Sequence, residues 1–190
     1  AIAVPINTAL KTAETAFILE HSGAVALIAD GGLPAELGRG ETPWQGRTIF
    51  TGQRDAHSLF ASGLALTELE GVQAGDFFPD VEEDDVATFV YTSGSTGRPK
   101  AVMQTHRTYA LSGEGFAHWV GIGPADRVLA VLPLFHINAQ AYSTMGAMAA
   151  GATLLIADQF SASRFWREAA ERRATHFNCV GAMMQILCKR

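Results

Sequence analysis

The feature that most constrains the fold is an alternation of short β-rich runs with longer segments whose apolar residues recur at helical spacing. Such alternation predicts an α/β fold, in which a layered, largely parallel sheet is flanked by helices. The run Ala24–Ala29 is continuously apolar, which is typical of a strand buried on both faces. The predicted strands are Ala1–Val4, Ala24–Ala29, Arg47–Thr51, Val86–Tyr91, Ala101–Thr105, Arg127–Leu132, Thr153–Ala157 and Thr175–Val180.

Helices are predicted between these strands from the same periodicity. Asn7 or Thr8 can cap the first helix, and Ser161 can cap a later one. Two glycines inside a longer helix, Gly113 and Gly115, each cost about 1 kcal/mol against alanine. The first and last predicted helices follow Asn7 and Ser161. Two others span about His106–Val120 and about Asn138–Ala150, and Gly151 ends the second of these. Residues 31–47 and 74–85 are predicted connections.

The composition excludes several classes of protein. A net charge of −5 without a basic stripe argues against partners that are nucleic acids or anionic membranes. Cys179 and Cys188 lack the spacing of a zinc site, so we predict no metal site there and a reducing, cytoplasmic setting. The uncharged stretch Ile137–Ala157 is long enough to cross a bilayer, but its polar residues favour a buried helix and strand, hence no membrane span. The sequence leaves open whether the protein forms a homo-oligomer.

The segment Thr92–Lys100 concentrates groups that can hold phosphate. It carries hydroxyls, two glycines and one cation directly after a β-rich run. Glycines let the backbone turn tightly and bring its N–H groups against an anion, and the hydroxyls and the lysine add donors and charge. Hydrogen bonds to a charged group contribute roughly 1.5–3 kcal/mol each, so a few of them can hold a polyphosphate.

Three more specific interpretations of this segment compete with one another. A Walker loop needs Gly, four residues and then Gly-Lys-Ser/Thr, but Gly94 and Gly97 are too close and Ala101 replaces the hydroxyl. A serine-hydrolase elbow is disfavoured, because it needs Gly where Ser93 stands and a helix where Pro99 and an extended run follow. A flexible Ser/Gly surface turn also stays open, although the strand before it and the lysine after it count against it.

Residues Tyr91–Lys100, read as Tyr-Thr-Ser-Gly-Ser-Thr-Gly-Arg-Pro-Lys, resemble the signature loop of the adenylate-forming enzymes. That superfamily includes acyl-CoA synthetases, amino-acid adenylation domains and firefly luciferase, and its loop holds the β- and γ-phosphates of ATP with Mg²⁺. The resemblance covers the whole chain and implies part of the large N-terminal, AMP-binding domain over residues 1–190. It implies phosphate contacts from Thr92, Ser93, Gly94, Ser95, Thr96, Gly97 and Lys100.

The turn Pro133–Asn138 resembles the family's next motif, an aromatic-rich turn beside the acyl site. Amino-acid-activating members carry Asp directly after the Phe, where it neutralises the substrate ammonium, but this chain carries His136. Because an imidazole offers no anion to an amine, the resemblance favours acyl- or aryl-CoA synthetases. It makes His136 the candidate catalytic and substrate-binding residue; a histidine that merely satisfies a strand end is the alternative.

A later segment resembles the bacterial synthetases similar to crotonobetaine/carnitine-CoA ligase, through Ser163–Trp166 and Ala174–His176. In such enzymes the strand and turn corresponding to Asn178–Met184 line the acyl pocket. The resemblance therefore implies substrate contacts from Gly181 and Met183. The alternative is that the methionines of this stretch are ordinary core residues.

The reaction that the resemblance implies is that of an acyl-CoA synthetase, as in fatty acid metabolism. A carboxylic acid attacks the α-phosphate of MgATP to give an acyl-adenylate and pyrophosphate, and coenzyme A then displaces AMP to form a thioester. The family's extreme N-terminus, adenine and ribose motifs, hinge and small C-terminal domain with its lysine are absent from residues 1–190, so we expect this chain alone to be inactive. A non-catalytic nucleotide-binding or interaction module that keeps the loop is the alternative.

Overall fold

The computed structural model describes residues 1–30, 44–51, 63–69, 79–92 and 99–189. It confirms the predicted α/β class, with parallel sheets flanked by helices. The chain forms two compact units: the first comprises Ala1–Pro5, Glu82–Val90 and Met103–Arg190, and the second comprises Ile6–Val81 and Tyr91–Val102. Within the described ranges, no helix combines the length and the apolar character needed to cross a membrane.

The second unit is built on a small parallel sheet. Its elements are α1 (Thr12–His21), β1 (Ala26–Ala29), β2 (Arg47–Phe50), β3 (Leu64–Ala65) and α2 (Leu66–Leu69). β2 lies between β1 and β3 and is parallel to both. Leu19 of α1 and Phe50 of β2 are buried at the centre of the core, which also includes Trp44. The predicted connections at 31–47 and 74–85 lie partly outside the described residues.

The start of α1 differs from the prediction. Neither Asn7 nor Thr8 caps the helix; the capping position is Lys11, whose backbone N–H donates to Oε2 of Glu14 at 3.0 Å. The Asn7 side chain instead accepts a hydrogen bond from the backbone N–H of Ala9 at 2.9 Å. Asparagine competes well for such local turns, and here the turn ends before the helix begins.

Strand β1 is more exposed than predicted. Val25 and Ile28 are 79% and 66% exposed, whereas Leu27 packs in the core beside Leu19. Successive side chains of a strand point to opposite faces, so Leu27 and Ile28 lie on different faces of this sheet. The prediction of burial on both faces is therefore wrong for the part of the chain that the structure describes.

Two strands lead into and out of the predicted phosphate loop. β4 (Val86–Thr92) and β5 (Lys100–Thr105) pair with each other and match the predicted strands closely. The predicted N-terminal strand is reduced to a single parallel bridge between Ala3 and Thr88. β4 extends one residue beyond its predicted end, so Thr92, the first residue of the loop, still belongs to the strand.

Helix α3 (His106–Val120) has the predicted bounds, and both of its ends are capped. Oγ1 of Thr105 accepts a hydrogen bond from the backbone N–H of Thr108 at 3.2 Å. Gly121 follows the helix in the left-handed region, with a φ of 75° that favours glycine.

A second parallel sheet lies in the first unit. After α3 come β6 (Arg127–Ala130), a π-helical segment (Asn138–Thr144) continued by α4 (Met145–Ala149), β7 (Thr153–Ile156), α5 (Phe165–Glu171), β8 (His176–Phe177) and α6 (Gly181–Cys188). β6 lies between β7 and β8 and is parallel to both. The helix predicted over Asn138–Ala150 is confirmed, although its first half has π-helical form.

Helices cover both faces of β6. Leu129 is fully buried and packs in a cluster with Phe165 of α5 and Met183 of α6. Val128, one residue earlier, packs on the opposite face with Ala117 of α3. The continuous apolar run Val128–Ala130 of β6 is therefore buried on both faces of the sheet, as expected for such a run.

Helices α3 and α4 approach each other closely through small residues. A Cβ atom built at Gly113 would lie 2.6 Å from the backbone oxygen of Met145, and one built at Gly146 would lie 2.7 Å from Cδ1 of Phe116. Both separations are far shorter than carbon atoms tolerate. Gly113, which weakens α3 by propensity, is therefore required by packing.

The C-terminal elements differ in detail from the prediction. Ser161 does not cap α5, which begins at Phe165 without a side-chain cap; the backbone oxygen of Ser161 accepts hydrogen bonds there instead. The strand predicted over Thr175–Val180 shortens to β8, because only His176 and Phe177 pair with β6.

We predict opposite effects for two glycine substitutions in α3. Gly113→Ala should lower the free energy of unfolding by about 1–3 kcal/mol, because the methyl group overlaps the Met145 backbone. Gly115→Ala should raise it by up to about 1 kcal/mol, because nothing lies within 4 Å of its Cβ position and alanine favours the helix. Urea unfolding monitored by tryptophan fluorescence measures both, and equal effects of the same sign would contradict the packing argument.

A hydrogen-bonded cluster lies at the edge of the sheet where β6 and β8 begin. Oδ2 of Asp126 accepts the backbone N–H of Gly123 at 2.8 Å, and its Oδ1 lies 3.5 Å from Nδ1 of His176. Oγ1 of Thr175 accepts the backbone N–H of Arg127 at 2.9 Å. The bond from Gly123 is the main cause that lowers the pKa of Asp126 below its ordinary value of 3.8, followed by a bond from Thr175.

The lowered pKa of Asp126 predicts an acid-sensitive contribution to stability. A carboxyl with a lowered folded pKa stabilises the fold above its unfolded pKa, and this contribution is lost as pH falls through the folded pKa. Asp126→Asn should therefore destabilise the protein near neutral pH, and the difference from wild type should shrink below about pH 4. The control is Asp158→Asn, because Asp158 forms no hydrogen bond or ion pair within the described ranges. Urea unfolding curves near neutral pH and below about pH 4 measure the difference in stability between Asp126→Asn and wild type. A difference of the same size at both pH values would contradict the assignment.

Candidate active site

The described ends of the predicted phosphate loop belong to paired strands. Thr92 is the last residue of β4 and Lys100 is the first residue of β5, and both side chains are exposed. Their hydroxyl and ammonium groups are therefore accessible to an anion. The other predicted phosphate ligands, Ser93, Gly94, Ser95, Thr96 and Gly97, lie outside the described residues, and the phosphate contacts of the whole loop stay a prediction.

A hydrogen bond fixes the strand just before this loop. Nδ1 of His21, the last residue of α1, lies 2.7 Å from Oη of Tyr91, and the His21 ring stacks on Phe17 at a centroid distance of 5.2 Å. Burial raises the pKa of Tyr91, and a hydrogen bond with Ser22 opposes the rise. The C-terminal end of α1 thus holds the residue that immediately precedes Thr92.

The aromatic-rich turn in the first unit follows the buried strand β6. The backbone N–H of His136 donates to the oxygen of Pro133 at 3.0 Å, and the Phe135 and His136 rings lie 4.4 Å apart. The imidazole of His136 is exposed, whereas Phe135 is partly buried. The turn leaves the carboxyl end of a parallel strand, which is the edge where open α/β sheets bind ligands.

Two polar contacts join this turn and its continuation to neighbouring elements. Gln140, in the π-helical segment, donates from Nε2 to the backbone oxygen of Leu134 at 2.6 Å and accepts a hydrogen bond from Oη of Tyr109 on α3. Asn138 accepts a hydrogen bond from Nδ2 of Asn178 at 2.6 Å. Asn178 directly follows β8, so this bond joins the end of β8 to the π-helical segment that follows the turn after β6.

The predicted acyl-pocket residues are placed at the start of α6. Gly181 is its first residue and is exposed, and no atom lies within 4 Å of its Cβ position. Met183, two residues further, is 7% exposed and packs with Leu129 and Phe165 in the core. The segment predicted as strand and turn is therefore helical from Gly181, and substrate contacts from Gly181 and Met183 stay a prediction.

Sequence reasoning named Asn138 and Asn178 within the segments beside the acyl site, but it missed the bond between them and the bond between Tyr109 and Gln140. The two bonds join residues 40 and 31 positions apart, so no local pattern links the partners. One signal was present: Gln140 and Asn138 are amides in a run of small, mostly apolar residues predicted to be buried. Buried polar groups need partners, and this requirement marks them for attention.

The described residues contain no cluster that defines a metal site. Among them, no group of three or more His, Cys, Asp or Glu side chains is arranged to hold a metal ion. Mg²⁺ in nucleotide sites is usually bound by phosphate oxygens, waters and one or two protein groups rather than by a protein cage. The described donor set is therefore compatible with Mg²⁺ that arrives bound to ATP.

The fold of the chain is similar to that of solved structures of adenylate-forming ligases. The N-terminal domain of FACL13 from Mycobacterium tuberculosis, in an inhibitor-bound form, matches with a TM-score of 0.78 and 29% identity over 100% of this chain and 46% of that one. The o-succinylbenzoate CoA synthetase MenE from Bacillus subtilis, in complex with ATP and magnesium ion, matches with a TM-score of 0.75 and 28% identity over 100% and 36%.

The chain belongs to the AMP-binding enzyme family, whose model matches residues 1–190. A crotonobetaine/carnitine–CoA ligase from Escherichia coli is 33% identical over 192 aligned positions, which cover 98% of this chain. The chain spans 37% of the length of that ligase. These matches confirm the resemblance to adenylate-forming CoA ligases.

We predict that the hydrogen bond at the entrance of the loop contributes to stability. Tyr91→Phe removes the hydroxyl that lies 2.7 Å from His21 and should lower the free energy of unfolding by about 1 kcal/mol. The matched control is Tyr142→Phe, because the Tyr142 hydroxyl has no hydrogen-bond partner in the described part of the chain; it should change by less than about 0.5 kcal/mol. Indistinguishable urea midpoints for the two variants would contradict the role of Tyr91.

Proposed function

We propose that the intact protein carrying this chain is an ATP-dependent acid–thiol ligase that makes an acyl-CoA. A carboxylate oxygen attacks the α-phosphorus of ATP, the bond to the β-phosphate oxygen breaks, and an acyl-adenylate and pyrophosphate form. The thiol of coenzyme A then attacks the acyl carbon and AMP leaves. We propose a cytoplasmic location for it, and a homo-oligomeric state stays open.

The observation that carries the proposal is the Ser/Thr/Gly segment that joins two paired strands. β4 ends at Thr92 and β5 begins at Lys100, so the exposed hydroxyl and ammonium stand at the two ends of that segment. Phosphoryl chemistry depends on positioning and on neutralising charge more than on covalent help from the protein. Donors and a cation placed in this way can bind the phosphates that leave as pyrophosphate.

The acid side of the proposal depends on the turn after β6. The exposed His136 stands at the sheet edge where parallel strands end, and it carries no fixed negative charge that would hold the α-ammonium of an amino acid. The proposed substrate is therefore a carboxylic acid without an α-amino group. The name of the crotonobetaine/carnitine–CoA ligase supports the same class of acid.

The proposed substrates are ATP with Mg²⁺, coenzyme A and a small carboxylic acid. MenE, whose structure was solved with ATP and magnesium ion, supports the nucleotide and the ion. Bound ATP supplies the electrophilic α-phosphorus. Thr92 and Lys100 are the described residues that would hold its phosphates, together with the other residues of the loop.

The proposal is tested by ATP–pyrophosphate exchange on the intact protein with a panel of acids. Short, medium-length, aryl and carnitine-like carboxylic acids should include one that stimulates exchange, whereas α-amino acids should not. Coenzyme A should then convert the same acid to its thioester. Exchange that depends on an α-amino acid, or no exchange with any acid while ATP still binds, would overturn the proposal.

We predict that Lys100 contributes to ATP use. Lys100→Ala removes one charged hydrogen bond, worth roughly 1.5–3 kcal/mol, so the KM for ATP in the exchange assay should rise roughly 10- to 100-fold. Lys100→Arg keeps the charge and should have a smaller effect. Lys189→Ala, at the far end of the described chain, is the control and should leave the KM unchanged. A wild-type KM for Lys100→Ala would contradict the phosphate role of this lysine.

A further inference from the structure

Gln140 connects three separate elements of the first unit. Its Oε1 accepts a hydrogen bond from Oη of Tyr109 on α3, and its Nε2 donates to the backbone oxygen of Leu134 at 2.6 Å. Leu134 lies in the turn between β6 and the π-helical segment, next but one to His136. The helix, the π-helical segment and the turn are thus joined through one amide.

The partners fix the orientation of this amide. The Leu134 carbonyl can only accept, so the NH₂ group of Gln140 must point to it. Its Oε1 is then left to the hydroxyl of Tyr109, which can donate. A flipped amide would place Oε1 of Gln140 against the Leu134 oxygen, two acceptors that cannot bond to each other. The three groups therefore have one arrangement that satisfies all of them.

Apolar burial holds the turn only in part. Leu134 is 42% exposed and His136 is exposed, whereas Phe135 is partly buried. A backbone hydrogen bond of 3.0 Å closes the turn from His136 to Pro133. The Gln140 amide adds a connection from the turn to α3, which packs on the buried strand β6.

Gln140 lies in the π-helical segment that follows the turn. Oγ1 of Thr144 donates to the backbone oxygen of Ala139 at 2.9 Å, five residues earlier, which matches the wider π-helical turn. The segment begins only two residues after His136, and Gln140 is its third residue. Such segments often occur at functional sites.

We propose that Tyr109 and Gln140 are positioning residues that hold the turn and thereby orient the His136 imidazole toward the acid substrate. The inference rests on the proposed ligase function. Tyr109 and Gln140 themselves do not touch the reacting atoms: they act through Leu134 and the turn. Their loss should therefore affect the acid step and leave nucleotide binding unchanged.

The first test compares two tyrosine variants in the intact protein. Tyr109→Phe should lower kcat/KM for the acid roughly 5- to 10-fold, the equivalent of one lost hydrogen bond, while the KM for ATP changes less than about 2-fold. The control is Tyr142→Phe. Tyr142 lies in the same π-helical segment as Gln140, and its hydroxyl has no hydrogen-bond partner among the described residues, so this variant should leave kcat/KM for the acid and the KM for ATP unchanged. Equal effects of Tyr109→Phe on the acid and on ATP would overturn the proposal in favour of a general stabilising role.

A double-mutant cycle tests whether Tyr109 acts through His136. If it does, Tyr109→Phe should have little further effect on kcat/KM for the acid in a His136→Ala background. A purely structural contact would lower activity by the same factor in both backgrounds. Additive effects would therefore overturn the positioning role.

Gln140→Glu gives a pH-dependent readout of the bond to Leu134. The carboxylate can still accept from Tyr109, but it donates to the Leu134 oxygen only when it is protonated. Relative to wild type, the activity of Gln140→Glu with the acid should therefore rise as pH falls through the pKa of the new carboxyl. Gln140→Leu should stay low at every pH. A constant ratio of Gln140→Glu to wild type would overturn the proposal.

A spectroscopic measurement separates this inference from the proposed function. The ring-proton NMR signals of His136, assigned by their loss in His136→Ala, should shift or broaden in Tyr109→Phe and not in Tyr142→Phe. If no acid supports exchange but these signals respond, the ligase proposal fails and the positioning role of Tyr109 and Gln140 stands. If exchange occurs and the signals do not respond, the positioning role fails and the ligase proposal stands.

Discussion

Burial of β6 on both faces is the constraint on which the rest of the first unit depends. Val128 packs against α3 and Leu129 packs against α5 and α6, so the middle of the strand is filled by apolar side chains on both faces. The exposed His136 follows in the turn, after the strand has ended. Because β8 is parallel to β6 and ends at the same edge, Asn178 meets Asn138 there. The location of the candidate acid site therefore follows from the packing of the core.

The same packing determines which polar residues can reach the turn. Covering the Val128 face requires α3 and α4 to approach closely, and Gly113 and Gly146 provide the space. At this separation, Tyr109 on α3 can contact Gln140 in the segment that precedes α4. A bulkier pair of helices would bury the strand equally well but would move the hydroxyl away from the amide. Gly113 and Gly146, which are unfavourable for helix formation, thus contribute to the geometry of the turn.

Sequence patterns predicted the elements whose structure is decided locally. The bounds of α3, the strands β4 and β6 and the turn after Leu132 follow from apolar periodicity and from Pro133. The pattern failed where a second element decides the outcome: the exposure of Ile28 depends on what covers the sheet. The two alternatives for Met183 stayed open in the sequence, because its burial depends on Leu129 and Phe165, which lie far from it in sequence. The π-helical form of Asn138–Thr144 likewise has no local signature in its small residues.

This difference explains why the type of reaction could be predicted before the substrate. The groups proposed for the phosphates lie within one contiguous stretch that starts at Thr92 and ends at Lys100, so their composition and spacing can be recognised without any tertiary contact. The groups around the acid side come from several elements: the Asn138–Asn178 bond, for example, joins residues 40 positions apart. A pocket assembled in this way changes shape when any one of its supporting contacts changes. Substrate choice is therefore a property of tertiary packing, and only the chemistry of the activation step can be inferred from a local motif.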